Sequence, residues 1–337
     1  MGWLLFSRAA HAAGDVSSFL QDGAAGAHPA GAPVEVRLGV FLSHVPMIDL
    51  QENSFKFDAY VWLRWDPSHW PPPSARGQET APASPRETLQ VVDAVELEVE
   101  ETFMRPGYCC LHIQGKRLNF WDVRDYPFDR QRLELVFEDE SFDERELRYV
   151  PDTENSEVSE SMRVPGSIPR TAAIGVSSYT YPTTFGDPDL ESGYGSSYSR
   201  VTFGLSVDRD GAGMFFKLFT ALFVATLVSM ISLFIRPTQV DPRFGLSVGG
   251  LFCIVASGYA VNSVLPDASG LSYADKLHLG ASLCVLLIVA ESAYSLSLHL
   301  NKGEDGARFA KRLDRATFLV VASGYAITVL VLTLQIH

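Results

Sequence analysis

The sequence predicts an extracellular or periplasmic β-sandwich followed by a four-helix, all-α transmembrane bundle. Three observations predict it. Charge divides sharply along the chain: residues 1–209 hold 32 of the 40 acidic and 18 of the 27 basic residues, a net of −14, and residues 210–337 hold the remaining 8 acids and 9 bases. Short runs of alternating apolar and polar residues fill the first part. Four long apolar segments fill the second. The domains are accordingly an N-terminal segment 1–32, a β domain 33–209 and a membrane domain 210–337. The acidic first part repels nucleic acid, which excludes that partner, and is suited to drawing cations towards a vestibule.

Residues 1–32 are rich in Ala and Gly and read either as an atypical signal peptide or as part of an N-terminal segment. From Pro33 the pattern turns to β. In FKFDAYVWLRW, Phe55, Phe57, Ala59, Val61, Leu63 and Trp65 share one face, and Lys56, Asp58, Tyr60, Trp62 and Arg64 share the other. The second face carries two aromatics, which is unusual for a plain solvent face. WPPPSARGQETAPASP is a loop by composition. VVDAVELEVEE alternates again, LHIQGKRLNFWDV reads as two short strands around a Gly-Lys turn, and RLELVFED and ELRYV follow. TAAIGVSSYTYP and YSRVTFGLSVDR are the last strands, joined by a Gly/Ser/Asp-rich hairpin tip. Four cysteines, Cys109, Cys110, Cys253 and Cys284, show no zinc or disulfide spacing.

Met214–Ile235, Phe244–Leu265, Leu277–Leu300 and Ala316–Ile336 are each long enough to cross a hydrocarbon core of about 30 Å as a helix. Arg236 and Arg243 lie between the first and second segments, and Lys302, Arg308, Lys311, Arg312 and Arg315 between the third and fourth. The positive-inside rule puts both links in the cytoplasm and the β domain outside. Glu291, within the third segment, needs a partner or water.

The second segment is the informative one. Steps of three and four from Asp241 give Asp241, Gly245, Gly249, Phe252, Ala256, Tyr259 and Ser263. This stripe of small and weakly polar residues has two readings. One is a helix–helix interface in which Gly245 and Gly249 allow close approach. The other is a pore wall, with Phe252 as an apolar constriction and Asp241 as a charged ring at the mouth. No nucleophile–base pair, metal spacing or phosphate loop stands out, so the chain is not read as an enzyme.

The order of parts resembles the prokaryotic pentameric ligand-gated ion channels of the Cys-loop receptor superfamily, over residues 33–337. YPFDRQRLEL is similar to the family's Pro-Phe-Asp loop, here Tyr126, Pro127, Phe128 and Asp129. Asn119 and Leu133 stand where animal members carry the loop's two cysteines, so no disulfide is implied. The first two strands, SRVTFGLSVDRD ending at Arg209, the link VLPDASGLSYADK after the second helix, and the short link before the fourth helix resemble the family too.

The resemblance implies a homopentamer in the bacterial inner membrane, multi-pass, with the β domain on the periplasmic or extracellular side. It implies a ligand-gated ion channel with the second helix lining the axis, and Asp241 implies preference for permeant cations. An unknown small-molecule agonist, an amine or a proton, is implied to bind between subunits. One wall would come from Phe142, Tyr179, Tyr181, Tyr194 and Tyr198, and the facing subunit would offer Tyr60, Trp62 and Arg64. Asp49, Tyr126, Pro127, Phe128, Asp129, Arg209 and Pro266 are candidates for coupling the domains, with Arg209 facing Asp129 or a nearby acid. The acidic run EDESFDERE is a solvated face, a divalent-cation site through Glu138, Asp139, Glu140 and Asp143 with Ca2+ as a modulator, or a proton sensor. No other cofactor is expected. The alternatives to the leading reading are a proton- or divalent-modulated channel, an anion-selective channel and a non-conducting membrane sensor.

Overall fold

A computed structural model describes residues 32–183, 195–266 and 270–335. Two sheets precede the helices. The first has β4 (Ala94–Arg105), β5 (Tyr108–Leu118), β2 (Ser54–Trp65), β1 (Val34–Asp49) and β7 (Leu147–Pro151) in that order, with β8 (Glu157–Val158) also on β1. The second runs β3 (Leu89–Val91), β6 (Arg130–Asp139), β10 (Ser196–Arg209), β9 (Ser167–Tyr181). The alternation in the sequence fixes which face each strand buries. Phe55, Phe57, Ala59, Val61 and Leu63 are buried as expected, opposite Leu133, Leu135 and Phe137 of β6 and Val201, Phe203 and Leu205 of β10 in one continuous core. Shifting β2 by one residue would turn this face to water.

Two strand readings are corrected. Gly115 is not a turn: β5 runs unbroken through it, paired with Phe57 on one side and Leu97 on the other. A Cβ there would lie 2.5 Å from the Glu96 carbonyl oxygen, so the glycine serves the close approach of β4. The turn is instead at Gly107, whose φ of +79° suits glycine. The alternation of β4 does not mark a buried face either. Val95, Leu97, Val99 and Phe103 are exposed, because β4 is the edge of its sheet. All four cysteines are free.

The chain enters the helices directly from β10. The helix α1 (Gly211–Ile231) ends in a 3-10 turn, Ser232–Phe234, shortly before Pro237. It is followed by α2 (Val240–Asn262), with Pro242 in its first turn, where no N–H is needed. The third, α3 (Tyr273–Leu334), starts at a capping box: Ser272 Oγ accepts from the Asp275 N–H at 3.1 Å, and Asp275 Oδ2 accepts from the Ser272 N–H at 2.9 Å.

Helical geometry continues through α3 for 62 residues, about 90 Å if straight. Yet the Tyr273 hydroxyl lies 3.1 Å from Thr333 Oγ1. The run therefore folds back on itself and supplies two antiparallel arms, Tyr273–Asn301 and Glu304–Leu334. The basic link expected at 301–315 is thus helical almost throughout, with Arg308, Lys311, Arg312 and Arg315 in the second arm. With α1 and α2, these arms make four helices long and apolar enough to cross a membrane, so the protein is membrane-embedded.

Candidate functional site

The face α2 turns inward is set by Arg243, Ser247, Gly250, Ile254 and Val261. These recur at helical spacing and pack on α1 and α3. Gly250 is the close-approach glycine: a Cβ there would sit 2.0 Å from Ser229 Oγ and 2.9 Å from the Ala225 carbonyl oxygen of α1. Ser232 and Ser247 hydroxyls meet beside it at 2.8 Å. Gly245 and Gly249 have nothing within 4 Å of a built Cβ, so they make no such interface within the chain. The whole stripe Asp241, Gly245, Gly249, Phe252, Ala256, Tyr259 and Ser263 is exposed, with Phe252 at 72% and Tyr259 at 74%.

The pairing of β9 with β10 gathers three of the expected ligand residues. Tyr179 lies opposite Tyr198 in register, and the Tyr181 ring packs edge-on against Tyr179 at 4.8 Å and Tyr198 at 5.7 Å. The sequence reading missed what fills this cluster. Arg200, two residues after Tyr198, places its guanidinium 3.6 Å from the Tyr179 ring centroid and 5.5 Å from that of Tyr181. Glu138 pairs with Arg200 and accepts from the Tyr181 hydroxyl at 3.0 Å. That hydroxyl in turn accepts from Arg200 Nη2 at 2.6 Å. Burial, and then the Glu138 carboxylate, hold the Tyr181 phenol above its ordinary range. The signal available was period-2 alternation, which puts residues 198 and 200 on one face.

Phe142 does not join these tyrosines. It is buried edge-on against Trp70, ring centroids 5.8 Å apart. Tyr194 lies outside the described residues. Tyr60, Trp62 and Arg64 are on the other sheet. Tyr60 stacks on His112 at 4.7 Å, and Trp62 Nε1 donates to Asp152 Oδ2 at 2.9 Å, the carboxylate that also pairs with Arg64. The Trp62 ring covers Gly39, its partner across β1, where a Cβ would meet it at 2.3 Å.

The four acidic residues considered for calcium do not converge. Glu138 is engaged by Arg200, Asp143 pairs with Arg145, and Glu140 is exposed. Asp139 accepts from the Ser141 and Phe142 N–H groups at 2.9 and 2.8 Å and from Thr88 Oγ1 at 2.5 Å. Among the described residues no group of three or more His, Cys, Asp or Glu is placed to hold a metal ion.

Burial raises the Asp139 carboxyl to about 6, against the pull of its hydrogen bonds. The folded chain therefore binds this proton more tightly than the unfolded chain. The resulting stabilisation, about 2–3 kcal/mol, is present in full below about pH 4 and is lost as pH rises through about 6. Asp139→Asn should flatten that part of the profile. Unfolding midpoints measured from pH 4 to 7 check it, and an unchanged slope would show that another group is responsible.

The expected coupling residues meet at the foot of the β domain. The Tyr126 hydroxyl donates to Met214 Sδ of α1 at 3.2 Å. Pro127 follows a cis peptide bond, and the Phe128 ring lies between Phe215 at 5.6 Å and Tyr273 at 6.1 Å. Gly211 is required beneath it, since a Cβ would come within 2.6 Å of that ring and 2.7 Å of the Pro127 carbonyl oxygen. Arg209 grips Asp129 through two hydrogen bonds of 2.7 and 2.9 Å and lies 5.0 Å from the Tyr126 ring centroid. The Tyr273 N–H, opening α3, donates to the Arg124 carbonyl at 2.8 Å. Asp49 accepts from the Trp121 indole through its carbonyl at 2.9 Å, and Pro266 is buried.

A second polar cluster lies within the helices. Arg243, which the sequence places between the first and second segments, is wholly buried. Its Nη2 donates to Glu291 Oε2 at 2.9 Å and Asp314 Oδ1 at 2.6 Å, its Nε to Ser292 Oγ at 2.9 Å and its Nη1 to the Ile235 carbonyl at 3.1 Å. The cluster ties α2 to both arms of α3. Glu291 had been marked as needing a partner, but Asp314 had not.

A scan of protein-family models finds no match to the chain, and a search of curated proteins finds no significant match.

Proposed function

We propose that the protein is a homopentameric, ligand-gated cation channel of the bacterial inner membrane. Its β domain lies on the outer side, agonist binds between β domains, and α2 lines the pore. The observation that carries this reading is the exposed face of α2. The helix packs its other face tightly, yet leaves the stripe from Asp241 to Ser263 without a partner in its own chain. Around a five-fold axis the small residues leave room for water, Phe252 forms an apolar constriction and five Asp241 carboxylates attract cations. The edge strand β4, with exposed Val95, Leu97, Val99 and Phe103, supports burial of the same chain's surface against neighbouring copies.

The test is reversal potentials of reconstituted protein under ionic gradients. Asp241→Ala should lower the cation-to-anion permeability ratio severalfold. Absence of current over a screen of pH and small amines would defeat the channel reading and favour a non-conducting sensor.

Gating by protons is the second reading, and Asp139 supports it. Burial raises its carboxyl to about 6, and it is next in sequence to Glu138, which holds Arg200 among the tyrosines. Acid-evoked current that survives in Asp139→Asn would remove that reading.

A further inference from the structure

A cavity of about 740 Å³ opens at the end of the first sheet remote from the membrane foot. Its walls come from the start of β1, the end of β2, β7 and the loop that follows β2. The strand register explains why arginines collect there. Arg37 of β1 lies opposite Arg64 of β2, and Arg148 of β7 pairs with the β1 position two residues before Arg37. Arg76 completes the set from the loop.

The arginines of this cavity are unevenly matched. Four arginines and His69 line it with Glu35 and Asp66; Arg64 is matched by Asp152, and Glu35 lies opposite Arg148 in register, which leaves Arg37 and Arg76 without an acidic partner among the described residues. Asp66 is already engaged by Ser68 and by His69, the latter at 3.3 Å. Elsewhere in the domain, Arg117, Arg130, Arg132, Arg145, Arg170, Arg200 and Arg209 each have an acidic partner. In the cavity, the Arg37 side chain has no hydrogen bond or ion pair among the described residues. Arg76 donates only to the His69 and Pro71 carbonyls, both at 3.0 Å. Arg148 reaches Glu144 only at 3.7 Å. Guanidinium donors left unmatched in this way form planar forks that fit carboxylate and phosphate oxygens.

We propose that this cavity is a binding site for a small organic anion with two or more carboxylate or phosphate groups, held by Arg37, Arg76 and Arg148. The volume is in the range of small-molecule sites. Trp65 and Pro73 supply an apolar wall for the body of the ligand. The site is separate from the tyrosine cluster on the other sheet and does not depend on the channel reading.

Isothermal titration of the full-length protein in detergent with citrate tests the proposal. Inorganic phosphate forms a second arm that separates the two oxyanion chemistries, and acetate at matched ionic strength is the control. Saturable uptake of citrate or phosphate, but not acetate, is expected. Arg37→Gln and Arg148→Gln should each weaken it about tenfold. Arg163→Gln, which makes the same charge change on an exposed residue outside the cavity, should leave it unchanged. The proposal is overturned if neither citrate nor phosphate binds saturably, or if Arg37→Gln and Arg148→Gln bind as the wild type does. Both replaced side chains are exposed, and unfolding midpoints without ligand show that the variants fold.

Discussion

Replacing Arg243 by Met should destabilise the folded protein by about 3–5 kcal/mol, measured by reversible unfolding in mixed micelles. The cause is what remains behind. Glu291 and Asp314 are 7% and 8% exposed, and Arg243 bonds both, Nη2 donating to each and Nη1 to the second Asp314 oxygen at 3.4 Å. Without the guanidinium, two carboxylates face each other in the bundle with no cation. Adding Glu291→Gln and Asp314→Asn to the Arg243→Met background should recover most of the loss. The cluster also predicts an asymmetry. It holds one cation and two carboxylates, and Glu291 Oε1 is buried with no hydrogen-bond partner. Glu291→Gln alone should therefore cost far less than Arg243→Met. An Arg243→Met protein within about 1 kcal/mol of the wild type would mean that the ion pairs do not hold the helices together.

The second large effect is expected at the foot. Asp129→Ala leaves Arg209 buried beside Tyr126 without its carboxylate, and removes an acceptor that Gln131 Nε2 also uses at 2.6 Å. A loss of about 3 kcal/mol is expected. In a double-mutant cycle with Arg209→Ala the coupling should be about 2 kcal/mol, since both singles remove the same two hydrogen bonds. The pair joins the start of β6 to the end of β10, the strand that leads straight into α1. On the channel reading proposed above, loosening it should also shift the stimulus concentration for half-activation without altering ion selectivity. Additive single effects would show that the two residues act independently.

What could be read from the sequence follows from the range of the interaction. The buried face of β2 and the four apolar spans were legible, because alternation and hydrocarbon thickness act within a single segment. The foot was legible through Tyr126–Asp129 and Arg209, an opposite-charge pair beside a distinctive turn. The rest depends on partners distant in sequence. Gly115 looks like a turn until β4 is seen lying against it. Gly245 and Gly249 have the spacing of a packing motif, but Gly250 on the next face meets Ser229. Arg243 belonged by order to a basic link, and only the return of the second arm of α3 brings Asp314 to it. The candidate site was half legible. The resemblance pointed to Tyr179, Tyr181 and Tyr198, whereas Arg200 was overlooked, since an arginine in a strand ordinarily faces water.

That arginine changes the terms on which any outside cation meets the three tyrosines. Arg200 is a tethered competitor, present at a local concentration fixed by the backbone and independent of dilution. An amine entering from solution gains the aromatic faces only by displacing a guanidinium that Glu138 also anchors, so its measured affinity is lowered by the share of time the cage stands empty. On the ligand-gated reading proposed above, the chain would in this way set its own threshold for amines, with Glu138 as the residue that tunes it.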